Sequence, residues 1–142
     1  MRKFVVLLAT VGALVLTAVS LAATQGMGWS AKLTSGQEVP KQAVKAPNAG
    51  GTFTAGVSGN TLKWKLTFAK LSGPATAAHI HLGAMGKAGA PLVALCGPCK
   101  SGASGSVPLT AALKKDVAKH LLYVNVHTAK NPAGEIRGQI SG

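Results

Sequence analysis

The chain has 142 residues, of which 15 are lysine or arginine and only three are aspartate or glutamate, so its formal net charge at pH 7 is +12. A chain of this length builds one modest core rather than two. Three carboxyl groups make a paired-carboxylate mechanism hard to build, and scattered lysines with 4% aromatic residues disfavour a specific nucleic-acid site.

The N-terminus has the layout of a secretory signal peptide. Arg2 and Lys3 precede a long apolar run, and the small residues near Ala22 and Ala23 suit signal peptidase. We therefore predict a signal peptide at residues 1–23, a mature domain at residues 24–142 and a secreted or periplasmic location. The alternative is a retained anchor, because about 20 apolar residues can just span a bilayer. In either case this segment would be the only membrane contact.

The remainder alternates apolar with polar residues between glycines and prolines, which is typical of half-buried strands. We predict an all-β fold, an immunoglobulin-like or Greek-key β-sandwich or barrel of about eight strands with one short helix. The predicted strands are residues 29–34, 52–57, 61–69, 76–82, 91–95, 105–109, 121–128 and 135–140, with a connecting loop at 37–51. Between residues 110 and 122, apolar residues at every fourth position (Leu113, Val117 and Leu121) predict the helix.

Two pairs of predicted strands should form hairpins. Ser58-Gly59-Asn60 joins the second and third strands, and these residues tolerate the positive φ angles of a tight turn. The loop from Ala129 to Gly134 joins the last two strands through Asn131-Pro132-Ala133-Gly134, a turn sequence in which proline fixes φ.

Three predicted strands carry polar side chains on one face, because successive side chains of a strand point to opposite sides. The first carries His79 and His81. The second has Tyr123, Asn125 and His127, and the last has Glu135, Arg137 and Gln139. If the His79 strand neighbours the last hairpin, these strands build one binding patch. Its predicted members are His79, His81, Asn125, His127, Glu135 and Arg137.

Four segments resemble the motifs of the CHRD domain, which was first described in chordin and occurs in many exported bacterial proteins. In chain order they are Gln37-Glu38-Val39-Pro40, Ala78-His79-Ile80-His81-Leu82-Gly83, Tyr123-Val124-Asn125-Val126-His127-Thr128 and Asn131-Pro132-Ala133-Gly134-Glu135-Ile136-Arg137-Gly138-Gln139-Ile140. The resemblance extends from about Trp29 to Gly142. It implies an immunoglobulin-like sandwich or barrel that acts in protein interaction, and it brings no catalytic residues.

The histidines allow two interpretations. His79, His81 and His127 would form a copper or zinc site, because neutral imidazole suits both metals. Alternatively they belong to a structural or binding patch, in which Glu135 pairs with Arg137. The His-x-His strand loosely resembles the copper strand of Cu/Zn superoxide dismutase, but that family needs more ligands than this chain offers. His120, at a helix end among lysines, is expected to be solvated or to cap the helix.

Cys96-Gly97-Pro98-Cys99 has the spacing of a thioredoxin-type redox motif. That motif acts at the start of a helix, whereas the Gly- and Ser-rich residues 101–105 do not favour one. An exported location favours a local disulfide between Cys96 and Cys99, with metal ligation and redox catalysis as alternatives.

These observations predict a non-catalytic binding or structural module of the cell envelope. Its expected partner is an envelope or extracellular protein, or an anionic surface polymer that attracts its positive charge. The alternative function is a copper- or zinc-binding envelope protein that uses the histidine triad.

Overall fold

The computed structural model describes residues 28–142, so the predicted signal peptide at residues 1–23 lies outside the described residues. Its elements are β1 Gly28–Thr34, a 3-10 turn Ser35–Gln37, β2 Gly50–Ser58, β3 Thr61–Ala69, β4 Ala75–Leu82, β5 Pro91–Cys96, β6 Ala103–Pro108, α1 Ala111–Ala118, β7 Leu122–Thr128 and β8 Ile136–Gln139. No helix among these is long and apolar enough to cross a membrane.

The eight strands form one antiparallel sheet in the order β5-β4-β7-β8-β1-β2-β3-β6. The two edge strands, β5 and β6, come back into contact with each other, so the sheet curls into a nearly closed barrel. The all-β prediction with eight strands and one helix is therefore confirmed.

Alternation of side chains fills the interior of this barrel. In β1, Trp29, Ala31 and Leu33 are buried while the residues between them face outward. β2 contributes Phe53, which is fully buried opposite Leu66 of β3. An amphipathic strand placed in a curved sheet buries one face and leaves the other in water, and this strongly favours the observed register.

Helix α1 closes one part of the barrel by burying Leu113 and Val117. The Thr110 hydroxyl caps it, because Oγ1 accepts a hydrogen bond from the Leu113 amide at 3.2 Å. The predicted stripe included Leu121, but the helix ends at Ala118. The backbone of His120 then takes a positive φ of 56°, which turns the chain into β7.

The last hairpin and β4 lie side by side. In the sheet, β7 pairs with β8 so that Asn125 faces Arg137, and it pairs with β4 so that His79 faces Asn125. The His79 strand therefore neighbours the last hairpin, and the polar faces of β4, β7 and β8 lie side by side.

A close approach of two backbones fixes β8 against β1. An added Cβ at Gly138 would lie 2.6 Å from the Lys32 carbonyl oxygen, whereas an added Cβ at Gly56 on β2 would meet no atom within 4 Å. Only glycine fits at position 138 without displacing β1.

We expect Gly138→Ala to lower the free energy of unfolding by more than about 1 kcal/mol, because a methyl group would press on the β1 backbone. Gly56→Ala is the matched control. It should change stability by less than about 1 kcal/mol, in the stabilising direction, because it restricts the unfolded chain at an open site. Urea unfolding of both variants measures the difference, and equal effects would contradict the steric account.

Candidate functional site

Three histidines converge on the polar side of the β4–β7 pair. β4 supplies His79 and His81, β7 supplies His127, and their ligand nitrogens all lie within 4.8 Å of one another. Nδ1 of His79 is 3.2 Å from Nε2 of His127. His81 and His127 are 7% and 9% exposed, so water reaches the cluster mainly past the half-buried His79.

Backbone carbonyls set the tautomers of the two buried imidazoles. Nδ1 of His81 lies 3.0 Å from the Gly89 carbonyl oxygen, and Nδ1 of His127 lies 3.0 Å from that of Pro132. A carbonyl oxygen only accepts hydrogen bonds, so in both rings Nδ1 must carry the proton. In a neutral ring, Nε2 then has a free lone pair. Nε2 of His81 is buried and has no hydrogen-bond partner among the described residues.

Both of these imidazoles are held in the neutral form. Burial lowers the pKa of His81. Burial also lowers the pKa of His127 to about 4, against the hydrogen bond to Pro132 and with help from the charges of His79 and His81. At neutral pH, His81 and His127 therefore present lone pairs rather than positive charges.

A stack of planar groups supports His81 from the side. The ring of His81 lies on that of Tyr123 with centroids 4.9 Å apart, and the Arg137 guanidinium lies 3.5 Å from the centroid of the Tyr123 ring. Such cation–π contacts are strongest where water is excluded, and Arg137 is only 1% exposed.

The loop between β4 and β5 covers this stack through its backbone. Arg137 donates hydrogen bonds to the carbonyls of Lys87 and Ala84 at 2.8 and 2.9 Å. The Tyr123 hydroxyl accepts a hydrogen bond from the Gly89 amide at 3.0 Å. Arg137 therefore orders the loop whose Gly89 carbonyl orients His81.

Glu135 does not join the histidine patch, and the expected pair between Glu135 and Arg137 is not formed. Instead, Oε2 of Glu135 accepts hydrogen bonds from Thr128 and Ser72, both at 2.6 Å, and from Asn131 at 3.0 Å. Although burial raises the pKa of Glu135, these donors bring it below the ordinary value. The prediction extended strand alternation to Glu135, but β8 begins at Ile136 and Gly134 has a φ of 136°, so alternation does not apply there.

Glu38 is a site residue that lies in the predicted connecting loop at residues 37–51, where strand alternation gives no signal. Its side chain is fully buried, and Oε1 accepts a hydrogen bond from Asn125 Nδ2 at 2.7 Å. Glu38 Oε2 and Asn125 Oδ1 are both buried without a partner. Burial raises the pKa of Glu38 to about 7. The available signal was its position in Gln37-Glu38-Val39-Pro40, one of the four family-like segments.

Two other predicted features lie outside the cluster. Cys96 and Cys99 are joined, with sulfurs 2.17 Å apart, and the next element is strand β6 rather than a helix. This agrees with a local disulfide. The helix that a thioredoxin-type motif needs does not follow Cys96. His120 is exposed after α1, as expected for a solvated residue.

Glu38→Gln should change the pH dependence of stability in one direction. The pKa of Glu38 is raised from 4.5 to about 7 in the folded state. Its protonation therefore stabilises the fold fully below pH 4.5, and that contribution is lost as the pH rises through about 7. The wild-type free energy of unfolding, measured relative to that of the variant, should fall by up to about 3 kcal/mol between pH 4.5 and about 7. Urea unfolding at several pH values measures it, and a difference that stays constant with pH would contradict the assignment.

Comparison with known protein families identifies a match. The family model of the CHRD domain matches residues 29–140, which is nearly all of the described chain. No curated protein and no solved structure matches the sequence. The family comprises binding and structural modules. The matched region contains the histidine cluster, Glu38 and Arg137. The chain belongs to the CHRD domain family.

Proposed function

We propose that this protein is an exported CHRD-domain module that binds one copper or zinc ion through His79, His81 and His127. The main support is that His81 and His127 donate hydrogen bonds from Nδ1 to the backbone carbonyls of Gly89 and Pro132. A metal-ligating histidine almost always donates its other ring N–H to a carboxylate or carbonyl, which fixes its tautomer and orientation. Here two histidines are fixed in this way. Nε2 of His81 has no partner among the described residues, and Nε2 of His127 faces Nδ1 of His79.

The spacing of the nitrogens supports the same proposal. Two ligands held at 2.0 to 2.1 Å from a tetrahedral zinc ion are about 3.3 Å apart, and His79 Nδ1 and His127 Nε2 are 3.2 Å apart. The third nitrogen lies within 4.8 Å of the others. Binding of a tetrahedral ion would draw the His81 nitrogen closer to the other two.

The chemistry of the ligands limits the choice of metal. Three imidazoles without a thiolate favour copper or zinc, whereas calcium and magnesium prefer several oxygen ligands. Three protein ligands also leave one coordination position open. An ion or an external ligand would enter beside His79, because this residue is only half-buried.

An exported location is part of this proposal. It is supported by the layout of residues 1–23 and by the linked pair Cys96–Cys99, because disulfides persist mainly in oxidising compartments. Such a protein would hold or transfer metal outside the cytoplasm.

Copper and zinc titration of the tag-free mature protein tests the proposal. We expect wild type to bind one equivalent, and His81→Ala and His127→Ala to weaken binding by at least about 100-fold, since each removes an oriented ligand. His120→Asn is the matched control. It removes the exposed fourth histidine at a positive φ that asparagine tolerates, and it should leave the affinity unchanged.

Calorimetry with each metal, together with circular dichroism of every variant, separates loss of ligands from loss of fold. Wild-type protein that binds neither metal would overturn the proposal. So would equal losses in His120→Asn and His127→Ala, because binding would then not depend on the cluster.

A further inference from the structure

The outer face of β1, β2, β3 and β6 carries a positively charged trough. Along its centre, β2 exposes only small side chains, Thr52, Thr54 and Gly56. Lys32 of β1 stands on one side of this line, and Lys63 and Lys65 of β3 stand on the other. All three lysines are exposed.

The strand register fixes this arrangement. Lys32 lies opposite Thr52, Lys65 lies opposite Thr54, and Lys63 lies opposite Gly56. Neighbouring strands are about 4.8 Å apart, so Lys32 of β1 and the two lysines of β3 lie on strands separated by about 10 Å. That width admits a single extended polymer chain between them.

Two shallow depressions lie along the trough. One of about 500 Å³ includes Ser30, Thr54, Gly56, Lys63 and Lys65 in its lining, and one of about 450 Å³ includes Ser30, Lys32, Thr34 and Thr52. Both share Ser30, so the depressions follow one another along the sheet. Buried apolar residues complete both linings, namely Trp29, Ala55 and Trp64 in the first and Ala31 and Leu33 in the second.

No aspartate or glutamate lies opposite these lysines in the sheet. Of the three acidic residues of the chain, Glu38 and Glu135 are fully buried, and Asp116 belongs to α1. Cross-strand neighbours of the trough lysines are threonine, serine and glycine. The positive field of this face therefore extends into solvent.

We propose that this trough binds a linear polysaccharide that carries carboxylate or sulfate groups. The lysines supply charge on both sides, and the hydroxyls of Thr52 and Thr54 match the hydroxyl groups of a sugar chain. The trough uses strands β1 to β3, whereas the metal ligands come from β4 and β7. The inference is thus independent of the metal proposal and would attach the module to an anionic polymer of the cell surface.

Other polyanionic partners fit this face less well. Single-stranded nucleic acid is bound by aromatic side chains on which bases stack, and the outward residues of β1, β2, β3 and β6 include no aromatic side chain. A membrane surface is bound by apolar side chains together with cations. The trough between the lysines exposes no large apolar side chain.

The test compares two triple variants with the same change of net charge. Lys32→Gln/Lys63→Gln/Lys65→Gln alters the trough, and Lys114→Gln/Lys115→Gln/Lys119→Gln alters exposed lysines of α1 and of its C-cap. Binding of the mature protein to polygalacturonate and to dextran sulfate is measured by calorimetry, with neutral dextran as the blank. We expect about a tenfold weaker affinity for the trough variant and a change below about threefold for the helix variant, because only direct contacts release counterions.

A single substitution on the trough floor provides a second test. Gly56→Glu puts a carboxylate where an added Cβ meets no neighbour, so the fold should persist and affinity should fall, whereas Gly56→Gln should bind nearly as wild type. Equal losses in the two triple variants would overturn the inference in favour of diffuse charge attraction. No binding to either polysaccharide would overturn it, as would tighter binding to single-stranded DNA or to anionic vesicles.

Discussion

Burial of β7 on both faces is the constraint on which the site depends. Every residue from Leu122 to Thr128 is buried. On one face Val124 and Val126 fill the barrel interior, and on the other Tyr123, Asn125 and His127 are removed from water. Apolar burial stabilises the first face. The second is stable only if each polar group finds a partner, because an unpaired buried group costs about 1 to 3 kcal/mol.

Backbone groups of two loops supply partners for Tyr123 and His127 of β7, and also for His81 and Arg137 on the neighbouring strands. The loop after β4 accepts hydrogen bonds from His81 and Arg137, and the turn before β8 accepts one from His127. Satisfying the polar face therefore also fixes tautomers and orders the loops. The atoms left over are Nε2 of His81 and one acceptor each on Glu38 and Asn125. A metal ion or a proton bound to one of these unpaired atoms would therefore stabilise the folded protein most.

Strand alternation and turn chemistry were enough to predict eight strands, one helix and the residues that share a strand face, namely His79 with His81, Asn125 with His127, and Arg137 with Gln139. Both signals are local, and the structure brings these residues together in three adjacent strands. Alternation failed at Glu135 because the strand starts one residue later. Alternation could not predict the position of Glu38, because this residue lies in a loop and contacts Asn125, which is 87 residues away in the sequence. The strand order that aligns the lysine trough is equally non-local.

Two carbonyls hold His81 and His127 as neutral Nδ1–H tautomers that present Nε2 to a shared ligand. Side-chain ¹⁵N NMR of the metal-free protein at neutral pH tests this assignment most directly. We expect protonated Nδ1 and unprotonated Nε2 in both rings, with the Nε2 resonances shifting on zinc addition. An Nε2–H tautomer or a charged imidazolium at either residue would contradict it.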